Sequence, residues 1–155
     1  MKEVLLYTDG ACSGNPGRGG FASILLYKGA EKEITGAFEL TTNNRMELLA
    51  VIRGLEALRE PCRVKVISDS KYVVDSLTRG WVYSWRAKGW KKSDGKRALN
   101  VDLWERLLPL MERHEVELEW IKGHKGHPYN ERCDALAVAM YMGDGLECDE
   151  GYTEG

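Results

Sequence analysis

The chain changes its hydrophobic period near residue 43, and this limits its fold more than any other feature. Upstream, apolar residues gather in strand-like stretches at Val4–Thr8, Phe21–Tyr27 and Glu31–Leu40. Downstream, Leu48, Val51, Ile52, Leu55 and Leu58 recur at steps of three and four between Asn44 and Arg59, which places them on one helical face. A glycine-rich turn is expected over Gly10–Gly20, and Lys28-Gly29-Ala30 separates the second and third stretches and reads as a hairpin turn, so the first three strands form an antiparallel meander. Pro61 is expected to end the helix.

The rest of the chain alternates. Val64–Ser68 is short and β-branched, a fourth strand that runs parallel to the first if the helix is a crossover. Lys71–Thr78 and Asp102–Arg113 read as helices, Glu115–Ile121 as a fifth strand, and Asn130–Met142 as a last helix packing Cys133, Ala137 and Met140. Together these predict an α/β fold: a five-stranded mixed sheet with strands four and five parallel to strand one and helices on its faces. Ligands of such sheets collect beyond the carboxyl ends of the central strands, where Asp9 and Asp69 lie.

A length of 155 residues suits one domain, read here as residues 1–143, followed by an acidic tail at 144–155 expected to be flexible. With 43% hydrophobic and 30% charged residues, the composition excludes disordered, collagen-like and disulfide-scaffold classes. The apolar runs are too short to span a membrane and the N-terminus lacks a secretory pattern, so the expectation is a cytoplasmic protein with no membrane partner, acting as a monomer. Cys12, Cys62, Cys133 and Cys148 are widely spaced, which indicates reduced thiols.

Charge is distributed unevenly. Residues 144–155 carry five acids and no Lys or Arg, whereas residues 79–97 hold seven bases against Asp94 alone. Trp81, Tyr83, Trp85 and Trp90 lie among those bases, so an anionic partner is expected to meet this region, with Lys and Arg on phosphates and aromatic faces on sugars or bases. The bland alternative is an amphipathic helix pair that buries its Trp residues.

Four acids could carry chemistry: Asp9 ending the first strand, Glu47 opening the first long helix, Asp69 ending the fourth strand, and Asp134 early in the last helix. Each also has a structural reading. Asp9-Gly10 can be a turn, Glu47 can complete a capping box with Asn44, Asp69 can cap the next helix, and Asp134 can be a solvated helix acid. A cluster of such carboxylates needs cations, and all-oxygen ligands suit Mg²⁺ or Mn²⁺. Two such ions can activate water and stabilise the leaving oxygen of a phosphodiester. His124, in a glycine-flanked loop, could shuttle protons; a zinc site from His124, His127 and Cys133 fits no standard finger. Gly17 to Ala22 matches G-x-G-x-x-A, yet a strand rather than a helix is predicted after it, so it is not a dinucleotide fingerprint.

Tyr7-Thr8-Asp9-Gly10-Ala11-Cys12, Gly14-Asn15-Pro16-Gly17, Thr41-Thr42-Asn43-Asn44-Arg45-Met46-Glu47-Leu48, Ser68-Asp69-Ser70, Gly123-His124 with Gly126-His127, and Asn130-Glu131-Arg132-Cys133-Asp134 follow one another in an order that resembles bacterial type 1 ribonuclease H over residues 3–142. The resemblance implies a sequence-nonspecific endonuclease that hydrolyses the RNA strand of RNA–DNA hybrids, leaves 3′-hydroxyl and 5′-phosphate ends, and uses two Mg²⁺ ions, with Mn²⁺ as a substitute. Asp9, Glu47, Asp69 and Asp134 match its metal-binding carboxylates and His124 its loop histidine. Cys12, Asn15, Asn43 and Asn44 would meet the minor groove and its 2′-hydroxyls, Thr42, Arg45 and Asn100 a DNA-strand phosphate, and Trp81 the deoxyriboses. Trp85 and Lys88 belong to the matching basic protrusion, at about residues 79–98. Lys71 stands where the family pattern has glutamine, and Gly80 is an insertion before Trp81. Two rivals remain at this stage: a DNA-cleaving relative on the same fold, and a hybrid-binding module without catalysis.

Overall fold

The computed structural model describes residues 1–123 and 126–153. Strands β1 (Lys2–Cys12), β2 (Gly17–Tyr27) and β3 (Ala30–Thr41) precede helix α1 (Asn43–Glu56). Then come β4 (Cys62–Ser68), α2 (Lys71–Thr78), α3 (Trp81–Ala87), α4 (Val101–Arg113), β5 (Glu115–Trp120) and α5 (Pro128–Met142). The sheet order is β3-β2-β1-β4-β5. The first three strands pair antiparallel, and β4 is parallel to both β1 and β5, as the alternation of periods implies. Among the described residues no helix is long and apolar enough to cross a membrane.

The β2–β3 connection is a two-residue turn in which Lys28 and Gly29 both have positive φ, 46° and 82°. That is the backbone twist a tight hairpin requires, and glycine supplies half of it without a steric penalty. The glycine-rich stretch differs from the expected turn over Gly10–Gly20. β1 runs on to Cys12 and β2 begins at Gly17, so only residues 13–16 connect them. The reason is packing: a Cβ on Gly19 would come within 2.5 Å of the Cys12 sulfur, and one on Gly20 would overlap the Ala137 carbonyl. These glycines admit neighbours to the strand rather than turning the chain.

One face of the sheet receives α1 and α4, with Leu6, Val64, Val66, Leu48, Ile52, Leu55, Trp104 and Leu107 in a continuous core. Full burial of each Leu or Ile side chain contributes about 2 kcal/mol. The other face receives α5, where Cys133 and Ala137 pack on Ala22 and Ile24. Met140, expected beside them, is half-buried. Helix α1 ends at Glu56, with Ala57 as its C-cap, and so stops before Pro61. Gly80, with φ 77°, supplies the left-handed residue between α2 and α3.

Two expected caps fall elsewhere. Thr42, not Asn44, caps α1 by accepting the Arg45 N–H at 3.3 Å, so Glu47 has no place in a capping box. Ser70, not Asp69, caps α2 by accepting the Val73 N–H at 3.2 Å.

Candidate active site

The parallel pair positions the first two acids. Tyr7 lies opposite Ile67 in the β1–β4 register, so two residues further on Asp9 and Asp69 emerge side by side at the carboxyl ends of adjacent strands. Glu47 arrives from α1, one turn after its cap. It gets close because Gly10 has no side chain: a Cβ there would stand 2.6 Å from the Glu47 nitrogen. Strand and helix therefore meet backbone to backbone, and the carboxylate oxygens of Asp9, Glu47 and Asp69 lie within 4.8 Å of one another.

Several bonds hold this arrangement. The Gly10 N–H donates to Asp9 Oδ1 at 3.0 Å. The Trp120 indole N–H donates to the Asp69 carbonyl at 3.0 Å, and Lys71 Nζ rests 4.8 Å from the Trp120 ring centre. On the other side, Asn130 Nδ2 donates to the Thr8 carbonyl at 3.4 Å and the Cys133 thiol to that of Tyr7 at 3.6 Å, which ties α5 to β1. Asp134, on that helix, joins the three acids in lining one cavity of about 440 Å³.

Asp9 and Glu47 are buried, 2% and 5% exposed, and Asp69 is half-buried. Burial pushes the Glu47 carboxyl well above the usual carboxylate range, and the charges of Asp9 and Asp69 add to the effect. Like charges gathered out of water favour a proton or a cation among them. An all-carboxylate set fits a hard divalent cation and not zinc, which prefers nitrogen and sulfur ligands. Among the described residues this is the group able to hold a metal ion. His124, the expected proton carrier, lies outside the described residues, while His127 is the N-cap residue of α5 without a side-chain cap bond.

The expected substrate contacts fall in three places. Cys12, Asn43, Asn44 and Lys71 line the same cavity as the acids, and Asn15 accepts the Asn43 N–H at 3.0 Å, fastening the β1–β2 connection to α1. Burial first, then the charge of Asp149, holds the Cys12 thiol up at about 11, so it stays protonated. Thr42, Arg45 and Asn100 surround a second cavity, of about 830 Å³. Asn100 is steadied there by donating to the Tyr72 hydroxyl at 3.1 Å, which also accepts the Trp104 indole N–H at 3.1 Å. On the basic segment, Trp81 is 44% exposed under the Arg79 guanidinium. Trp85 is half-buried with its ring steeply inclined, at 69°, to that of Trp104, and Lys88 is exposed.

Sequence reasoning missed Asp102 and Asp149. Arg45 is 2% exposed and forms ion pairs with Asp102 at 2.7 Å and Asp149 at 2.8 Å. Burial alone would lower its pKa, but the two carboxylates outweigh that and raise it. A helix N-terminus signals the position of Asp102. The sequence carries no local signal for Asp149.

The fold is that of a known class of nuclease. The RNase H family model matches residues 1–141. The ribonuclease H of Desulforamulus reducens is 56% identical over 149 residues, 96% of this chain and 94% of that protein. Among solved structures, LC9-RNase H1, described as a type 1 RNase H with the type 2 active-site motif, is 34% identical with a TM-score of 0.81, over 94% of this chain and 74% of that one. LC11-RNase H1, solved in complex with an RNA/DNA hybrid, shares the fold at 23% identity and a TM-score of 0.65, covering 90% of this chain and 96% of that one. The chain belongs to the RNase H family, on its bacterial side, and is an endonuclease of the ribonuclease H class.

Proposed function

We propose that the protein hydrolyses the RNA strand of RNA–DNA hybrids, without sequence preference, leaving 3′-hydroxyl and 5′-phosphate ends. The observation that carries this reading is the approach of Asp9, Glu47 and Asp69 to within 4.8 Å at the ends of β1 and β4 in a chain of this family. Two Mg²⁺ ions, or Mn²⁺ in their place, would supply an activated water and offset charge on the leaving oxygen when bound. Asp9, Glu47 and Asp69 would hold them, and Asp134, in the same cavity lining, would complete the ligand set.

The rest of the work falls to the chain itself. Glu47, out of water, exerts its charge at low dielectric. Cys12, Asn15, Asn43 and Asn44 face the minor groove, where a protonated thiol and amides can meet 2′-hydroxyls. Lys71 faces the scissile strand, and Trp81, Trp85 and Lys88 grip the DNA strand from the basic protrusion. Thr42, Arg45 and Asn100 take a DNA-strand phosphate, and His124 carries the proton to the leaving oxygen. The domain is residues 1–143 with an appended tail, and the protein works as a cytoplasmic monomer on a hybrid partner.

The test is an end-labelled RNA strand annealed to DNA, beside single-stranded RNA, duplex RNA and duplex DNA, each with Mg²⁺ and with EDTA. Cutting confined to RNA in the hybrid and abolished by EDTA is the expected result. Equal cutting of duplex DNA, or cutting in EDTA, would overturn it.

A further inference from the structure

The acidic tail returns to the body of the protein at the second cavity. Glu147 bridges the edge strand β3: the Glu39 N–H donates to its carbonyl at 2.8 Å, and its own N–H donates to the Ala37 carbonyl at 3.1 Å. Two residues on, Asp149 enters the Arg45 site. Its Oδ2 accepts from Arg45 Nε at 2.8 Å and from the Thr41 hydroxyl at 2.6 Å, and its Oδ1 accepts from Arg45 Nη2 at 3.0 Å. The Asp149 side chain is only 11% exposed. Gly151 then passes so near that a Cβ would overlap the Asp102 carboxylate.

The donors of Arg45 are thereby used up. Nε and one Nη2 hydrogen go to Asp149, the other Nη2 hydrogen and one of Nη1 to Asp102, and the last Nη1 hydrogen to Asn100 Oδ1. A guanidinium presents no further N–H. A nucleic-acid phosphate would seek the same forked contact that Asp149 makes. With Asp149 in place the locus has one positive charge against two negative ones and repels a phosphate. With Asp149 withdrawn it is neutral and offers a two-pronged donor.

We propose that residues 147–151 form an acidic strap whose Asp149 carboxylate sits in the DNA-phosphate site as an internal competitor, so that a hybrid binds fully only when the strap lifts. The proposal rests on the reading of Thr42, Arg45 and Asn100 as that site. The strap is held to β3 at the Glu147 bridge, and Glu147, Cys148, Glu150 and Gly151 are exposed, so lifting it uncovers little apolar surface.

The experiment measures anisotropy of a fluorescein-labelled hybrid in an Asp9→Asn background, where cleavage does not intervene. Two variants dislodge the strap by different means: Asp149→Ala removes the competitor, and Glu147→Pro keeps Asp149 but removes the N–H that donates to the Ala37 carbonyl, breaking the bridge to β3. In both, Kd should fall on the order of tenfold, as when the competent form had been a roughly one-in-ten minority. The slope of log Kd against log salt should also steepen by about one phosphate's worth, ~0.9. Asp144→Asn, which removes a tail charge outside the strap, should leave Kd unchanged. Circular dichroism at the assay temperature confirms that each variant is folded. An unchanged or higher Kd in either strap variant overturns the proposal, as does an equal gain from Asp144→Asn, which would make the effect general tail charge. Failure of the Asp9-intact protein to cut hybrids would count against the nuclease reading and leaves this binding comparison valid.

Discussion

The carboxylate cavity and the Arg45 site sit on either side of the α1 N-terminus, and they handle buried charge in opposite ways. In the first, three acids approach within 4.8 Å as an all-carboxylate group able to hold a metal ion. In the second, one guanidinium is enclosed by two carboxylates and an amide. The first gathers like charges, whereas the second pairs opposite ones. A site of the first kind favours a proton or a cation among its acids; a site of the second kind is stable alone and must be opened to be used.

The sharpest way to break this contrast is to remove one acid from the cavity. Asp9→Asn or Asp69→Asn should cut hybrid cleavage by about a thousandfold or more, since several kcal/mol of transition-state charge stabilisation depend on the ligand set. Single-turnover rates at saturating Mg²⁺ check this, and full activity in either variant would end the metal assignment.

At the other site the large effect is on stability. Arg45→Met leaves Asp102 and Asp149 facing each other, but Asp102 is 42% exposed and Asp149 can swing out with the strap, so the cost is about 1–2 kcal/mol. For a chain of this size that lowers Tm by roughly 5 °C, readable by calorimetry. Glu47→Gln should do the reverse without metal: one charge fewer in the cavity raises stability by about 1 kcal/mol, even as cleavage is lost. Opposite signs for these two substitutions are what the contrast requires; equal signs would erase it.

The smallest effect comes from outside both sites and sets a baseline. His114 is buried and accepts the Cys62 N–H on Nδ1 at 3.0 Å, while Nε2 has no partner among the described residues. Burial, with Arg113 adding to it, holds the imidazole below its ordinary 6.5. The unfolded chain therefore binds a proton before the folded one does, so stability is fully present above about 6.5 and declines as pH falls towards the folded value. Urea midpoints measured between about pH 8 and about pH 5 should show this slope. His114→Asn, which keeps an acceptor for Cys62, should flatten it.

Much of this was legible in the sequence because it was local. The apolar run before Asp9, the period change at α1 and the β-branched β4 specify neighbours in the sheet, and adjacency of Asp9 and Asp69 follows from a parallel crossover. Gly19 and Gly20 misled because their reason is tertiary: a sulfur and a carbonyl from distant segments occupy the space of their side chains. The caps at Thr42 and Ser70 lie one or two residues from the expected ones, a choice between adjacent polar residues that backbone dihedrals decide. The pairing of Arg45 with Asp149 spans 104 positions, and composition showed only that the tail is acidic. Hence the cavity was readable and its neighbour was not.

The placement of Asp9 on β1, the middle strand of five, has a consequence for how the molecule fails. An edge strand can detach while the rest stays folded, but β1 is laddered on both sides and covered on both faces. Backbone opening there requires the whole sheet to come apart, so its amides should exchange with solvent only through global unfolding. Heat or denaturant should extinguish catalysis together with the fold, while the strap at the sheet margin comes loose well before, in a sub-global opening of its own.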